Sequence, residues 1–294
     1  MTKHGAAAWI LAGPALLVIA VFFALPVVAG LALSLTDFDI YALADLSTLR
    51  FVGLQNYAQL LQTPLFWQAL GNTLYFVVVG VPVSIGLSLA AALLLDSRFA
   101  RWHAFFRTSL FAPVVTTAVA VAVIWRYLLH TRYGLVNQGL EAIGLAPIDW
   151  LGDPHWSMPA IIAFAAWKNF GYNMIILLAA LQAVPRELYE AARIDGAGAL
   201  RRFTDVTLPT LVPTFVLVGI LTVSGYFQLF AEPYVMTQGG PLRSTFSMLY
   251  LMYEEGFRWW NLGNASAVAF LLFVVIFCVS WVMLRFDRDA PGRR

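Results

Sequence analysis

Apolar positions along this 294-residue chain gather into six long runs with polar stretches between them. A helix rising about 1.5 Å per residue needs roughly 20 apolar residues to cross a bilayer. The runs near 9–35, 69–95, 105–129, 158–182, 209–231 and 264–285 all reach that length. The pattern therefore predicts an all-α membrane protein with six transmembrane helices. The first run follows Lys3, but Ala6 to Leu35 is far longer than a signal-peptide core of roughly 7–15 residues, so it reads as a retained span. Pro14, Pro26, Gly80, Pro82, Gly86 and Pro113 interrupt the runs, and they read chiefly as sites of helix packing around small residues. No Pro/Gly/Ser-rich linker or charge block divides the chain, so residues 1–294 read as a single membrane domain.

The polar stretch with the most internal structure is Glu190 to Pro209, EAARIDGAGALRRFTDVTLP. Pro185, Glu187 and Glu190 suit a helix N-terminus, which favours negative charge. Gly196 and Gly198 then interrupt the helical pattern, Arg201 and Arg202 follow, and Leu208-Pro209 leads into the next apolar run. The expected order is a short helix, a glycine turn and a second helix. A charged, folded element between membrane spans implies a soluble partner.

Composition removes the soluble alternative. Charged residues make up 12% of the chain and apolar ones 61%, with a mean hydropathy of +0.77; an ordinary soluble domain carries about 25% charged residues. The net charge is only +2, but its distribution orients the chain. Twelve Lys and Arg residues fall at the two termini and in the loops around 98–107 and 186–202, against five in the opposite loops. Cytoplasmic loops carry the excess of positive charge, so both termini and the Glu190 segment are expected in the cytoplasm. A nucleic-acid partner is not expected. The single cysteine, Cys278, permits no intrachain disulfide, and the four histidines show no metal-ligand spacing. No phosphate-binding GxxxxGK[ST] loop and no GxSxG, HExxH or CxxC pattern occurs. The chain thus reads as a non-enzyme, and transport against a gradient would draw on an ion gradient or on another subunit.

Lys168 lies about ten residues into the fourth run, where an uncompensated charge is costly. Asn169, Tyr172 and Asn173 follow on nearby turns, and Ser224, Tyr226, Gln228 and Glu232 offer hydroxyl, amide and carboxylate groups around the end of the fifth run. With Trp167, these residues supply what a polyhydroxylated solute needs: donors and acceptors for its hydroxyls and aromatic faces for its apolar side. They also suit interhelical hydrogen bonding, and Lys168 suits snorkelling to an interface; both alternatives stay open at this stage. Gly239, Gly240 and Pro241 mark a turn after the fifth run, on the side opposite the Glu190 segment, where it either reverses the chain or meets an external partner.

The spacing Glu190-Ala191-Ala192, three residues, Gly196, nine residues, Val206, one residue, Leu208-Pro209 resembles the EAA motif of membrane subunits of binding-protein-dependent ATP-driven importers. The segments WKNFGYNMIILLAALQAVPRELYEAARIDGAG, FVGLQNYAQLL, FFRTSLFAPVV and YVMTQGGPLRST are similar to the carbohydrate branch of maltose, lactose and glycerol-phosphate type permeases. The resemblance covers about residues 10 to 285. Val206 departs from the usual isoleucine, and the large insertion and extra helices of the maltose-type first subunit are missing. The resemblance implies a type I ABC importer transmembrane domain in the bacterial cytoplasmic (inner) membrane, with residues 186–209 as its coupling loop. It implies ATPase docking through Glu190, Ala191, Ala192, Asp195, Gly196, Leu208 and Pro209. The implied partners are a second permease subunit, two cytoplasmic ATPase subunits that bind ATP and Mg, an external solute-binding protein, and a sugar or oligosaccharide. Glycerol phosphate is the alternative solute. An ion-coupled carrier is the more distant alternative; it calls for midplane acidic residues, which these spans almost lack.

Overall fold

The structure is a computed structural model describing residues 3–45, 47, 49–96 and 102–288. Arg98, Arg101, Arg293 and Arg294, which contribute to the charge asymmetry, lie outside the described residues. The described residues are helical, joined by turns and two isolated bridges, Thr36 with Phe51 and Asp39 with Asn261. They contain five helical segments long and apolar enough to cross a membrane, and a sixth if one sharply bent pair is counted as a span. The sequence reads as one domain; the contacts of the folded chain fall into two compact units.

The first unit comprises Met1–Trp67 and Leu251–Val274. Its α1 (Lys3–Ile19) and α2 (Leu25–Ser34) are joined by a π-helical turn at Ala20–Ala24. The amide of Leu25 reaches back five residues to the Ala20 carbonyl, just before Pro26, which has no amide to donate. Two short helices follow, α3 (Ile40–Ala44) and α4 (Gln55–Gln62). Asp39 caps α3 by accepting from the Tyr41 and Ala42 amides. Buried Asn56 donates to the Ser34 and Thr36 carbonyls at 2.9 and 2.8 Å, and the Gly263 amide donates to the Phe38 carbonyl at 2.9 Å. These bonds fix the end of α2 against the start of the last long helix.

The second unit comprises Gln68–Tyr250 and Val275–Arg294. The long α5 (Pro64–Asp96) runs unbroken through Pro82, whereas the third apolar run does not stay one helix. It splits into α6 (His103–Val115) and α7 (Ala118–Leu128), bent by 99° at Thr116-Thr117. Pro113 in the last turn of α6 offers no amide, and the two threonines adopt extended backbone, so the helical ladder stops. After the short α8 (Leu135–Ala142) comes α9 (Pro154–Gln182), started by Asp153 accepting from the His155 amide and by Pro154 at the first helical position. Along its length α9 packs against α6 and the long helix α12 (Leu208–Phe227). It is the most buried of the long helices, yet it carries Lys168, Asn169 and Asn173 among its apolar residues. Met174, Leu177 and Leu181 of α9 meet Ala92 and Leu95 of α5 and Leu211 and Val218 of α12 in one buried cluster.

Between α9 and α12 lie α10 (Arg186–Ile194) and α11 (Ala199–Arg202). The fifth apolar run extends further than its composition indicates. A π-helical turn at Phe203–Thr207 connects α11 to α12, so the path stays helical through Leu208-Pro209 instead of starting there. Beyond α12, α13 (Ala231–Met236) precedes the glycine turn, followed by α14 (Met248–Tyr253) and α15 (Leu262–Arg288).

Candidate functional site

The second unit holds a cavity of about 350 Å³ where the α6–α7 break faces α9, α12 and α13. Lys168 is 92% buried at its edge, an exposure of only 8%. Its Nζ donates to the Thr116 carbonyl at 2.9 Å and to the Pro113 carbonyl at 3.3 Å. Both carbonyls lie at the helix break, at the negative end of the α6 dipole; the Pro113 carbonyl also accepts from the Thr116 amide and hydroxyl. The ammonium is therefore held by backbone oxygens at the bend. Close helix approach makes this possible: one turn further along α9, a Cβ on Gly171 would run into the Leu110 carbonyl of α6.

Asn169, Tyr172 and Asn173 line the same cavity, with Tyr226 and Gln228 opposite. Asn173 is buried and donates to Thr222 Oγ1 at 2.9 Å. The Tyr226 ring stacks on Phe76 at 4.8 Å and passes so close to Gly80 that a Cβ there would meet its Cε1 at 2.7 Å. Its hydroxyl is buried beside the side chains of Ser84 and Asn169. Glu232, which follows the fifth run, is carried by α13 to the cavity wall, so the lining includes a carboxylate as well as an ammonium.

Two residues grouped with these by sequence lie elsewhere. Ser224 does not line the cavity; its carbonyl accepts from Gln228 Nε2 at 3.2 Å. Trp167 faces the other side of α9, tilted against Trp125 at 5.5 Å and lining an apolar groove with Phe106 and Leu110. Composition did not single out Phe76 and Thr222, and no side-chain signal marks the Pro113 and Thr116 carbonyls. The only sequence hint of the break was Pro113 followed by two β-branched threonines.

The Glu190 segment forms α10 and its glycine stop. The Gly196 amide donates to the Arg193 carbonyl at 3.0 Å and the Ala197 amide to the Ala192 carbonyl at 2.8 Å, with Gly196 at φ +76°. This is a Schellman closure, which needs a left-handed residue at the position Gly196 occupies. Glu190, Ala191 and Asp195 are exposed and Ala192 half-buried, while Ile194 is 86% exposed. Leu208 is half-buried and Pro209 exposed at the start of α12. Tyr189 Oη lies 2.9 Å from buried Thr207 Oγ1, tying α10 to the π-helical turn that feeds α12.

The turn at Gly239, Gly240 and Pro241 is rigidly held. Gly239 has φ +78°, Thr245 Oγ1 donates to the Gly240 carbonyl at 2.8 Å, and Asn72 Nδ2 of α5 donates to the Arg243 and Phe246 carbonyls at 2.8 and 2.9 Å. Its tip, Leu242 and Arg243, is exposed and also at positive φ.

Residues 6–290 match the family described as "Binding-protein-dependent transport system inner membrane component". The lactose transport system permease protein LacF of Rhizobium radiobacter is 36% identical over 286 residues, covering 96% of this chain and 94% of that protein. The sn-glycerol-3-phosphate transport system permease protein UgpA of Agrobacterium fabrum is 32% identical over 279 residues, covering 95% and 93%. A chain of a bacterial ABC transporter involved in import of the acidic polysaccharide alginate has the same fold, with a TM-score of 0.81 over 99% of both chains at 23% identity. The all-helical architecture, the unbroken match and the full-length relatives agree: this chain belongs to the family of inner membrane components of binding-protein-dependent transport systems.

Proposed function

We propose that this chain is one permease subunit of an ATP-driven importer that moves a sugar or oligosaccharide across the inner membrane by alternating access. The observation that carries this reading is the cavity between α9, α12 and α13. There, amides, two phenols, a lysine and a glutamate line about 350 Å³ among apolar helices, a size and mixture suited to a small polyhydroxylated ligand. The full-length relative named for lactose transport supports the sugar class.

In this reading both termini and α10 face the cytoplasm, and residues 186–209 form the coupling loop within one permease domain. Two ATPase subunits bind ATP and Mg, and each docks a permease coupling helix. On this chain the contact is made by Glu190, Ala191, Ala192, Asp195 and Gly196, with Leu208 and Pro209 anchoring the loop to the membrane helix. Small Ala191 and Ala192 permit close approach, and Glu190 offers a charge-assisted bond to a basic group. ATP-driven closure moves α10, and the Tyr189–Thr207 bond passes that displacement into α12, which lines the cavity. The Gly239–Pro241 turn faces the external solute-binding protein, and a second permease chain completes the path. Chemistry on the solute has no place here; ATP hydrolysis belongs to the partners.

Purification from native membranes tests the reading. Tagged protein should bring down an ATPase subunit, and the assembly should hydrolyse ATP faster when sugar-loaded binding protein is added. Absence of both overturns the proposal.

A further inference from the structure

We infer that the apolar groove between α5, α6 and α9 is a binding site for one anionic phospholipid, with an acyl chain along the groove and the phosphate held by Arg107. The inference rests on the orientation of the permease reading above, which puts the α5–α6 connection in the cytoplasm and the lipid in the cytoplasmic leaflet. The groove shares no lining residue with the solute cavity.

The groove encloses about 770 Å³, and no charged side chain lines it. Its floor is recessed: Ala166 is 1% exposed and Leu95 6%. Its rims stand out, with Leu87 and Phe106 each 47% exposed and Leu94 71%. A transmembrane helix with its side chains is about 10–12 Å across, and such helices approach closely where small residues stand outermost. Here large residues stand outermost, so a helix would ride on the rims while a slender acyl chain reaches the floor. The length agrees. From Val83 to Leu94 the lining advances about 16 Å along α5, against about 15 Å for one leaflet of a hydrocarbon core about 30 Å thick.

One end of the groove suits a headgroup. Leu94 and Phe106 flank the connection between α5 and α6, and His103 and Arg107 stand one turn before the lining residues Phe106 and Leu110. Arg107 is exposed and forms no ion pair among the described residues. The carboxylate nearest to this end in sequence, Asp96, lies about 200° around α5 from Leu94, away from the groove. Exposed Trp102 and Phe105 add the aromatic rings found at headgroup level. No Lys or Arg lies within one turn of Val83 on α5, so the charge marks a single end. Lipid tails are all equally apolar, so selection comes from the contacts of the recessed floor and from a charge-assisted bond between Arg107 and phosphate. A basic side chain beside an anionic headgroup strengthens binding about fivefold.

The test is native mass spectrometry of the delipidated complex in detergent, purified with its ATPase and second permease subunits and titrated with dioleoyl phosphatidylglycerol or dioleoyl phosphatidylcholine. Wild type should bind phosphatidylglycerol about fivefold more tightly than phosphatidylcholine. Ala90→Phe fills the groove from α5 and should remove one bound phosphatidylglycerol per copy of this chain. Val78→Phe, on α5 outside the groove and 68% exposed, should remove none. Arg107→Gln should weaken binding about fivefold, and Arg107→Lys should restore most of it. Equal binding of the two lipids, an unchanged count in an Ala90→Phe complex that melts with wild type, or unchanged affinity in Arg107→Gln each overturns the inference. Arg107→Gln alone decides the matter where Ala90→Phe fails to fold. Loss of the second permease subunit from Ala90→Phe with the lipid count unchanged also overturns it, and assigns the groove to that subunit. Failure to bring down an ATPase subunit overturns the permease reading instead, and the lipid count is then read on the chain alone.

Discussion

Replacing Gly171 by alanine tests the packing that places the cavity's lysine. The added methyl would collide with the Leu110 carbonyl oxygen and lie 3.1 Å from Phe111 Cα, and both are backbone atoms of α6 that no rotamer change can move. Ordinary contact at such a position is 3.4–4 Å, so α9 must retreat from α6 by about 1 Å, an overpacking adjustment that costs about 1–3 kcal/mol. Lys168 sits three residues earlier on the same helix face. The same retreat stretches its 2.9 Å bond to the Thr116 carbonyl to nearly ~4 Å, outside hydrogen-bond range. Losing a hydrogen bond to a charged group adds about 1.5–3 kcal/mol, for a combined loss of roughly 3–6 kcal/mol. At about 2–4 °C per kcal/mol for chains approaching this size, the melting midpoint should fall by roughly 6–24 °C. The chain's 10 tryptophans allow the transition to be followed by fluorescence in detergent micelles. Lys168→Met and the double variant complete a cycle, and the double should lose less than the sum of the singles, because both changes break the same contact. A Gly171→Ala protein melting within about 2 °C of wild type would refute the close approach. Additive losses would refute the link to Lys168.

Three further outcomes follow from other sites. Glu190→Lys and Gly196→Pro should each abolish uptake and ATPase co-purification while leaving membrane insertion intact, since Gly196 holds φ +76° at the end of α10; normal levels of both would sink the docking assignment. Tyr189→Phe removes the 2.9 Å bond to Thr207 and should cost about 0.5–1.5 kcal/mol of stability, with less solute moved per ATP hydrolysed; an unchanged transport-to-ATP ratio would return this bond to a purely structural role. Asp37 is held below the usual carboxylate range mainly by the Arg50 amide, with partial burial opposing and the Arg50 guanidinium adding to it. A lowered carboxyl contributes stability that is complete above its unfolded value, near 3.8, and lost as pH falls through the lower folded one. Asp37→Asn should therefore flatten the acid limb of the melting profile below about pH 4, and Arg50→Ala should keep most of it; an unaltered limb in Asp37→Asn contradicts this account.

The sequence by itself determined the solvent in which this chain folds, its helical class, its family and the chemistry gathered around Lys168. Those features are local or additive: apolar run length, charge distribution and short motifs survive without any knowledge of packing. Gly196 also belongs here, because a glycine interrupting a helical pattern predicts a left-handed turn wherever the helix ends up. What only the tertiary structure decided depends on contacts between distant segments. The run 105–129 is apolar enough to be one straight helix, yet it breaks at Thr116-Thr117, and two carbonyls at the break are met by an ammonium more than fifty residues away in sequence. Helix phase separated Trp167 from its neighbour Lys168, and the helical turn of α13 brought Glu232 to the same cavity. Composition could supply a lysine and a glutamate, but the backbone carbonyls that hold the lysine follow from how closely α9 approaches α6 at Gly171.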